Sequence, residues 1–153
     1  MMRVDLESAL TSDVQALSAA SDQLSRVFAT QHSLSANDFQ ALLRVLVAER
    51  DGQPLTVGRL GRSLRISSAA TTYLVDRLIK SGHIRREPHP TDQRSTVLLY
   101  DDHGMQVAQE FFGPLAALTH SALATFSDED LAIAHEVFTV LIGTVRGHES
   151  RLS

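Results

Sequence analysis

The chain has no cysteine and no tryptophan, and aromatic residues make up only 5% of its 153 positions. Without thiols there is no disulfide framework, no thiolate zinc site, no thiol nucleophile and no cysteine redox switch. Long apolar runs are missing too. The most apolar windows, Phe111 to Leu118 and Val137 to Val145, fall far short of the roughly 20 residues a membrane helix needs. Met1 to Leu10 carries Asp5 and Glu7 and no continuous apolar stretch, so it does not read as a secretory signal. A cytoplasmic protein without a membrane partner is expected. No glycine-rich phosphate loop and no nucleophile beside a base is visible, so no enzyme is expected. The seven histidines, at 32, 83, 89, 103, 120, 135 and 148, include no pair spaced three or four apart. A helical histidine metal site is therefore absent, and no metal or cofactor is expected.

What is present is a sufficient core and an uneven charge. Hydrophobic residues account for 43% of the chain, enough to exclude intrinsic disorder. The net charge of −4 argues superficially against a nucleic-acid partner. Yet residues 55–99 hold Arg59, Arg62, Arg65, Arg77, Lys80, Arg85, Arg86 and Arg94 against only Asp76, Glu87 and Asp92, a local +5 between flanks that total −9. A basic segment in an acidic chain is an electrostatic footprint for phosphate if the right elements carry it.

Leu6, Leu10, Val14, Leu17, Leu24, Val27 and Phe28 recur at helical spacing and predict an amphipathic helix from Asp5 to Thr30, roughly 39 Å long at about 1.5 Å per residue. A stripe that long in a small protein calls for a partner subunit. Ser35 with Asp38 at N3 predicts a capped second helix burying Phe39, Leu42, Leu43 and Leu46. Thr56 caps a short helix to Leu64, in which Gly58 and Gly61 each weaken the helix by about 1 kcal/mol relative to alanine. Ser67 caps a fourth helix, Ser68 to Ser81, with Ala70, Leu74 and Leu78 inward and Gly82 at its end. The period then changes to strands, His83 to Glu87 and Ser95 to Tyr100, joined by the loop 88–94. Asp101 caps a fifth helix, interrupted by Pro114, which should kink or split it. Ser127 and Asp130 open a sixth. The fold expected is mainly α with a small β-hairpin wing: a winged helix-turn-helix lobe over 34–100, flanked by helical regions 1–33 and 101–153.

A short helix, a turn at Arg65-Ile66-Ser67 and a second helix make a helix-turn-helix. The second helix opens with Ser67, Ser68, Thr71, Thr72 and Tyr73, side chains that can enter a major groove and hydrogen-bond base edges. Arg77 and Lys80, one turn or more deeper, suit the DNA backbone, and Arg86 on the first strand is a further candidate DNA contact. Arg94 at the hairpin tip suits a minor groove, with Asp92 placed to pair with it and Ser95 beside both. Capping is the competing reading for Ser67.

The stretch Leu74-Val75-Asp76-Arg77-Leu78-Ile79-Lys80-Ser81-Gly82-His83-Ile84-Arg85-Arg86, followed by Asp92-Gln93-Arg94-Ser95 and Val97-Leu98-Leu99, resembles the MarR family of winged-helix transcriptional regulators. Leu34-Ser35 with Phe39 and Leu42, and Tyr100 to Gly104, match the family's second and fifth helix openings. The resemblance implies a homodimer through the first, fifth and sixth helices, on a pseudo-palindromic double-stranded operator. It implies a repressor relieved by a small aromatic ligand, with Phe28, His32, Phe39, Phe111 and Phe112 as candidate contacts; plain core packing competes for each. The rival function is a winged-helix protein-interaction module that does not bind DNA.

Overall fold

The computed structural model describes residues 1–153. The order is α1 (Arg3–Gln31), α2 (Ala36–Arg50), α3 (Val57–Leu64), α4 (Ser68–Lys80), β1 (Ile84–Pro88), β2 (Thr96–Tyr100), α5 (Asp102–Leu123) and α6 (Asp128–Leu152). The chain divides into two compact units, Met1–Phe111 and Phe112–Ser153, with α5 crossing the boundary. No helix is long and apolar enough to cross a membrane.

Local chemistry sets the helix starts. Ser35 Oγ accepts the Asp38 N–H at 3.0 Å while Asp38 Oδ2 accepts the Ser35 N–H at 3.0 Å. Ser127 and Asp130 repeat the arrangement, each bond 3.1 Å. Thr56 and Ser67 accept from the N–H groups of Arg59 and Ala70. Each such cap contributes about 1 kcal/mol.

The main core of the first unit joins Leu42 and Val45 of α2, Leu60 of α3, Leu74, Val75 and Leu78 of α4, Ile84 of β1 and Leu98 of β2. In α4 the buried face is Thr71, Leu74, Val75 and Leu78, and Ala70 is exposed rather than inward. The reason lies in α3. A Cβ at Gly61 would stand 3.2 Å from Thr71 Cβ and closer still to its hydroxyl. The bare glycine lets α4 approach with Thr71 facing in. Thr71 Oγ1 donates to the Ser67 carbonyl at 2.8 Å, so its burial leaves no unmet polar group.

The hairpin is antiparallel, with Ile84 opposite Tyr100 and Glu87 opposite Val97. The Leu98 N–H donates to the Leu55 carbonyl at 2.8 Å, which ties β2 to the link before α3. The Tyr100 hydroxyl donates to the Leu42 carbonyl at 2.6 Å, and burial pushes that phenol's pKa up.

α5 starts against the α4–β1 turn. The Asp101 N–H donates to the His83 carbonyl at 3.0 Å and the Gly104 N–H to the Gly82 carbonyl at 3.3 Å. His83 is buried, with Nδ1 2.6 Å from the Ser81 hydroxyl and its ring 4.8 Å from that of His103. Burial, and then the neighbouring His103, lower the His83 pKa below its ordinary 6.5, with Asp38 opposing and His32 adding to the shift. The unfolded chain therefore takes up a proton below pH 6.5 that the folded chain refuses. Stability should be complete above that pH and fall as the pH drops from there toward the folded value. Urea titrations between pH 5 and 8 should show this limb flattened in His83→Gln. An unchanged slope would refute the assignment.

Pro114 lies inside α5, which stays continuous from Asp102 to Leu123; of the kink or split expected, the split does not occur. The carbonyl the proline leaves without a donor belongs to Glu110, an exposed residue, where water can serve it. Within the second unit α6 buries no residue, and Ile133, Phe138, Val140, Ile142 and Val145 are exposed. Leu6, Leu10, Leu17, Leu24 and Val27 of α1 are exposed as well.

Candidate nucleic-acid interface

The outward face of α4 carries Ser68, Ala69, Thr72, Tyr73, Asp76 and Lys80, all exposed. Of the groove contacts expected from the sequence, Ser68, Thr72 and Tyr73 are presented there, Tyr73 with 71% of its surface accessible. Thr71 is not. It is 1% exposed and its hydroxyl is committed to Ser67, so it is withdrawn as a base contact. Ser67 is exposed, with its oxygen engaged in the cap. α3 and α4 enclose a hollow of about 280 Å³ whose wall includes Arg62, Ser68 and Thr72, which sets an α3 cation beside the α4 hydroxyls.

The basic residues separate into two groups. Arg77 pairs with buried Asp38 of α2, which raises its pKa above the ordinary value. Arg85 pairs with Glu87 at 2.8 Å and also donates to the Tyr100 carbonyl. Arg86 pairs with Asp76 of α4 at 3.0 Å, joining the wing to α4. Arg77, expected on the DNA backbone, and Arg86, a further expected DNA contact, are therefore engaged within the fold, whereas Lys80, the other residue expected on the backbone, is not. Arg59, Arg62, Arg65, Lys80 and Arg94 are exposed and form no salt bridge. The three from α3 and its cap were not among the expected contacts. Arg65 is also one of only two non-glycine residues with positive φ, at 56°. Holding a non-glycine side chain there costs on the order of 1 kcal/mol.

The wing tip is organised by two side chains. Asp92 accepts the Arg94 N–H at 3.0 Å and the Ser95 hydroxyl at 2.8 Å. These bonds, the hydroxyl first, lower its pKa. Asp92 thus supports the tip through the backbone and Ser95, not by pairing with the Arg94 guanidinium as expected. His89 Nδ1 accepts the N–H groups of Thr91 and Asp92 at 3.1 and 3.2 Å. No sequence pattern pointed to that histidine.

Four of the five residues expected to meet an effector pack on one another. Phe28 lies 4.2 Å from His32, 5.6 Å from Phe39 and 4.1 Å from Phe111, centroid to centroid. Phe28 and Phe39 belong to a second small core with Ala29 and Val107. Phe112 falls in the second unit. Beside this cluster a cavity of about 400 Å³ runs between α1 and α2, walled by residues including Ser25, Arg26, Ala29, Leu34, Phe39 and Gln40. Phe39 is the one member of the five on its wall.

A three-helix lobe with a helix-turn-helix and a hairpin wing defines a winged-helix protein. Residues 32–95 match the family model described as MarR family. An uncharacterized HTH-type transcriptional regulator of Bacillus subtilis (strain 168), YcgE, is 32% identical over 80 residues, 52% of each chain; the chain thus matches about half the length of that relative. The solved structure of a MarR family protein from Bacillus stearothermophilus superposes with TM-score 0.65 at 22% identity, covering 95% of this chain and 99% of that one. A MepR mutant of S. aureus bound to an oligodeoxyribonucleotide superposes with TM-score 0.54 at 15% identity, covering 89% and 97%. Over residues 32–95 the chain is similar to the MarR family, and its fold is shared with a solved structure of that family.

Proposed function

We propose that this protein is a DNA-binding transcriptional regulator that acts as a homodimer on a pseudo-palindromic operator. The observation that carries the reading is the set of five unpaired, exposed cations, Arg59, Arg62, Arg65, Lys80 and Arg94, on the lobe that also exposes Ser68, Thr72 and Tyr73. The oligonucleotide bound to the MepR mutant supports it. In this reading α4 enters the major groove, the α3 arginines and Lys80 meet phosphates, and Arg94 reaches the minor groove from a tip shaped by Asp92 and His89. Two copies read half-sites about 10 base pairs apart. The exposed apolar faces of α1 and α6 support the dimer.

The regulation is repression relieved by a small aromatic acid. Its place is the cavity between α1 and α2, where the Phe39 ring and the Arg26 guanidinium, now 2.9 Å from Asp22, offer an apolar wall and a cation.

Selecting bound sequences from random DNA, then measuring affinity for the recovered operator against salt, tests the reading. A steep linear loss of affinity with rising salt is expected. Arg94→Ala should weaken operator binding and lower the salt slope by about one if the guanidinium meets a phosphate. Affinity equal to wild type in that variant would remove the wing from the interface. Failure to recover any sequence would remove DNA binding itself.

A further inference from the structure

One ion pair on the recognition helix is built differently from the rest. Asp38 is buried, its side chain 8% exposed, whereas the acidic partners in the other four pairs are at least 46% exposed. Its two oxygens have separate duties. Oδ2 accepts the Ser35 N–H at the start of α2, and Oδ1 accepts from the Arg77 guanidinium across 39 residues of sequence. Arg77 in turn lies over the ring of Tyr73, one turn earlier in α4, with its guanidinium carbon 5.3 Å from the ring centroid. Tyr73 is the exposed aromatic on that helix. The sequence Asp38–Arg77–Tyr73 therefore runs from a fixed point in α2, through a cation held at one end by a buried carboxylate, to a side chain on the proposed groove face.

We propose that Asp38 is a positioning residue for operator recognition, fixing the Tyr73 ring through Arg77. The proposal rests on the DNA-binding reading above. A phenol on an exposed helix otherwise samples several rotamers, and ordering it on binding costs conformational freedom. Arg77 stacked on one face restricts those rotamers before DNA arrives. Arg77 would be free to choose other partners, phosphate included, without Asp38. The buried carboxylate assigns it to Tyr73.

The test is a double-mutant cycle on DNA affinity, with Asp38→Asn, Tyr73→Ala and the pair. Asp38→Asn should weaken the selected operator about tenfold, the size of one lost base contact, and change affinity for random-sequence DNA by less than about twofold. Tyr73→Ala should cost a similar amount, and the double variant no more than the larger single loss, because both act on one contact. If Asp38 only stabilises the fold, the losses multiply and the proposal fails. Equal operator affinity in Asp38→Asn and wild type also overturns it. Should Asp38→Asn not fold, Arg77→Gln breaks the same link from its other end and enters the same cycle. A DNA-free readout separates this proposal from the DNA-binding reading. The chain has two tyrosines, so the Tyr73 ring resonances are simple to assign. They should shift and narrow toward those of a freely rotating tyrosine in Asp38→Asn. A shift without operator binding by wild type would leave the link standing and remove its use on DNA. Unmoved resonances would remove the link.

Discussion

Gly104→Ala should lower stability by about 3 kcal/mol, the upper end of the range for overpacking a tight site, and the melting temperature by about 10 °C. The new Cβ would stand 2.8 Å from the His83 carbonyl carbon and closer still to its oxygen. That oxygen cannot swing away, because it accepts the Asp101 N–H. His83 itself is buried and bonded to Ser81. The remaining escape is for the first turn of α5 to lift off the α4–β1 turn, which would break the Gly104 to Gly82 hydrogen bond as well. Gly58→Ala is the matched control. Nothing lies within 4 Å of a Cβ there, so the substitution should stabilise by about 1 kcal/mol through helix propensity alone. Thermal melts of the two variants beside wild type decide the matter. A Gly104→Ala melting temperature within about 2 °C of wild type would show that the α5 docking yields easily.

Gly58, set beside its neighbour Gly61, shows how much the sequence carries and where it stops. Caps were legible because they are local: Ser35 with Asp38, and Ser127 with Asp130, each satisfy groups within four residues, and the structure forms them as read. The change from helical to alternating period placed the wing to within a residue. By composition Gly58 and Gly61 looked alike, two weak points in one short helix. Only the packing of α4 separates them, since Thr71 fills the space above Gly61 and nothing fills that above Gly58. The partition of the arginines was hidden for a similar reason. Arg77 and Arg86 stand in a basic segment, but their carboxylates come from 39 and 10 residues away. Which cations remain free for phosphate is a tertiary outcome. It moves the electrostatic weight of the proposed interface toward α3, a helix the sequence presented as support. Likewise, the ring cluster of Phe28, His32, Phe39 and Phe111 left composition unable to distinguish a core from a ligand wall.

Phe138→Glu combined with Ile142→Glu should convert the protein to a single chain and weaken operator binding by at least about 100-fold. The two residues are one helical turn apart on α6, 43% and 48% exposed, with Val145 completing the stripe at 63%. An apolar stripe of this kind on a helix that buries nothing else is stable in water only if something covers it. A second copy is the occupant this fold requires if two recognition helices are to read one operator. Two charges placed into that contact would lie opposite their own equivalents across a two-fold axis. The repulsion and the cost of desolvating carboxylates then act together. The effect on DNA follows from linkage of the half-sites. In the proposed dimer, binding of the first lobe holds the second at high effective concentration over its half-site, a gain of about 10² to 10⁴ that a single lobe forfeits. The lobe's own core of Leu42, Leu60, Leu74 and Leu98 contains no α6 residue, so residual binding to a half-site should keep the wild-type base preference. Light scattering would report the mass and a mobility shift the affinity. A variant that still weighs two chains would place the dimer contact off this stripe. One that is a single chain yet binds the full operator as wild type does would show that recognition does not depend on pairing.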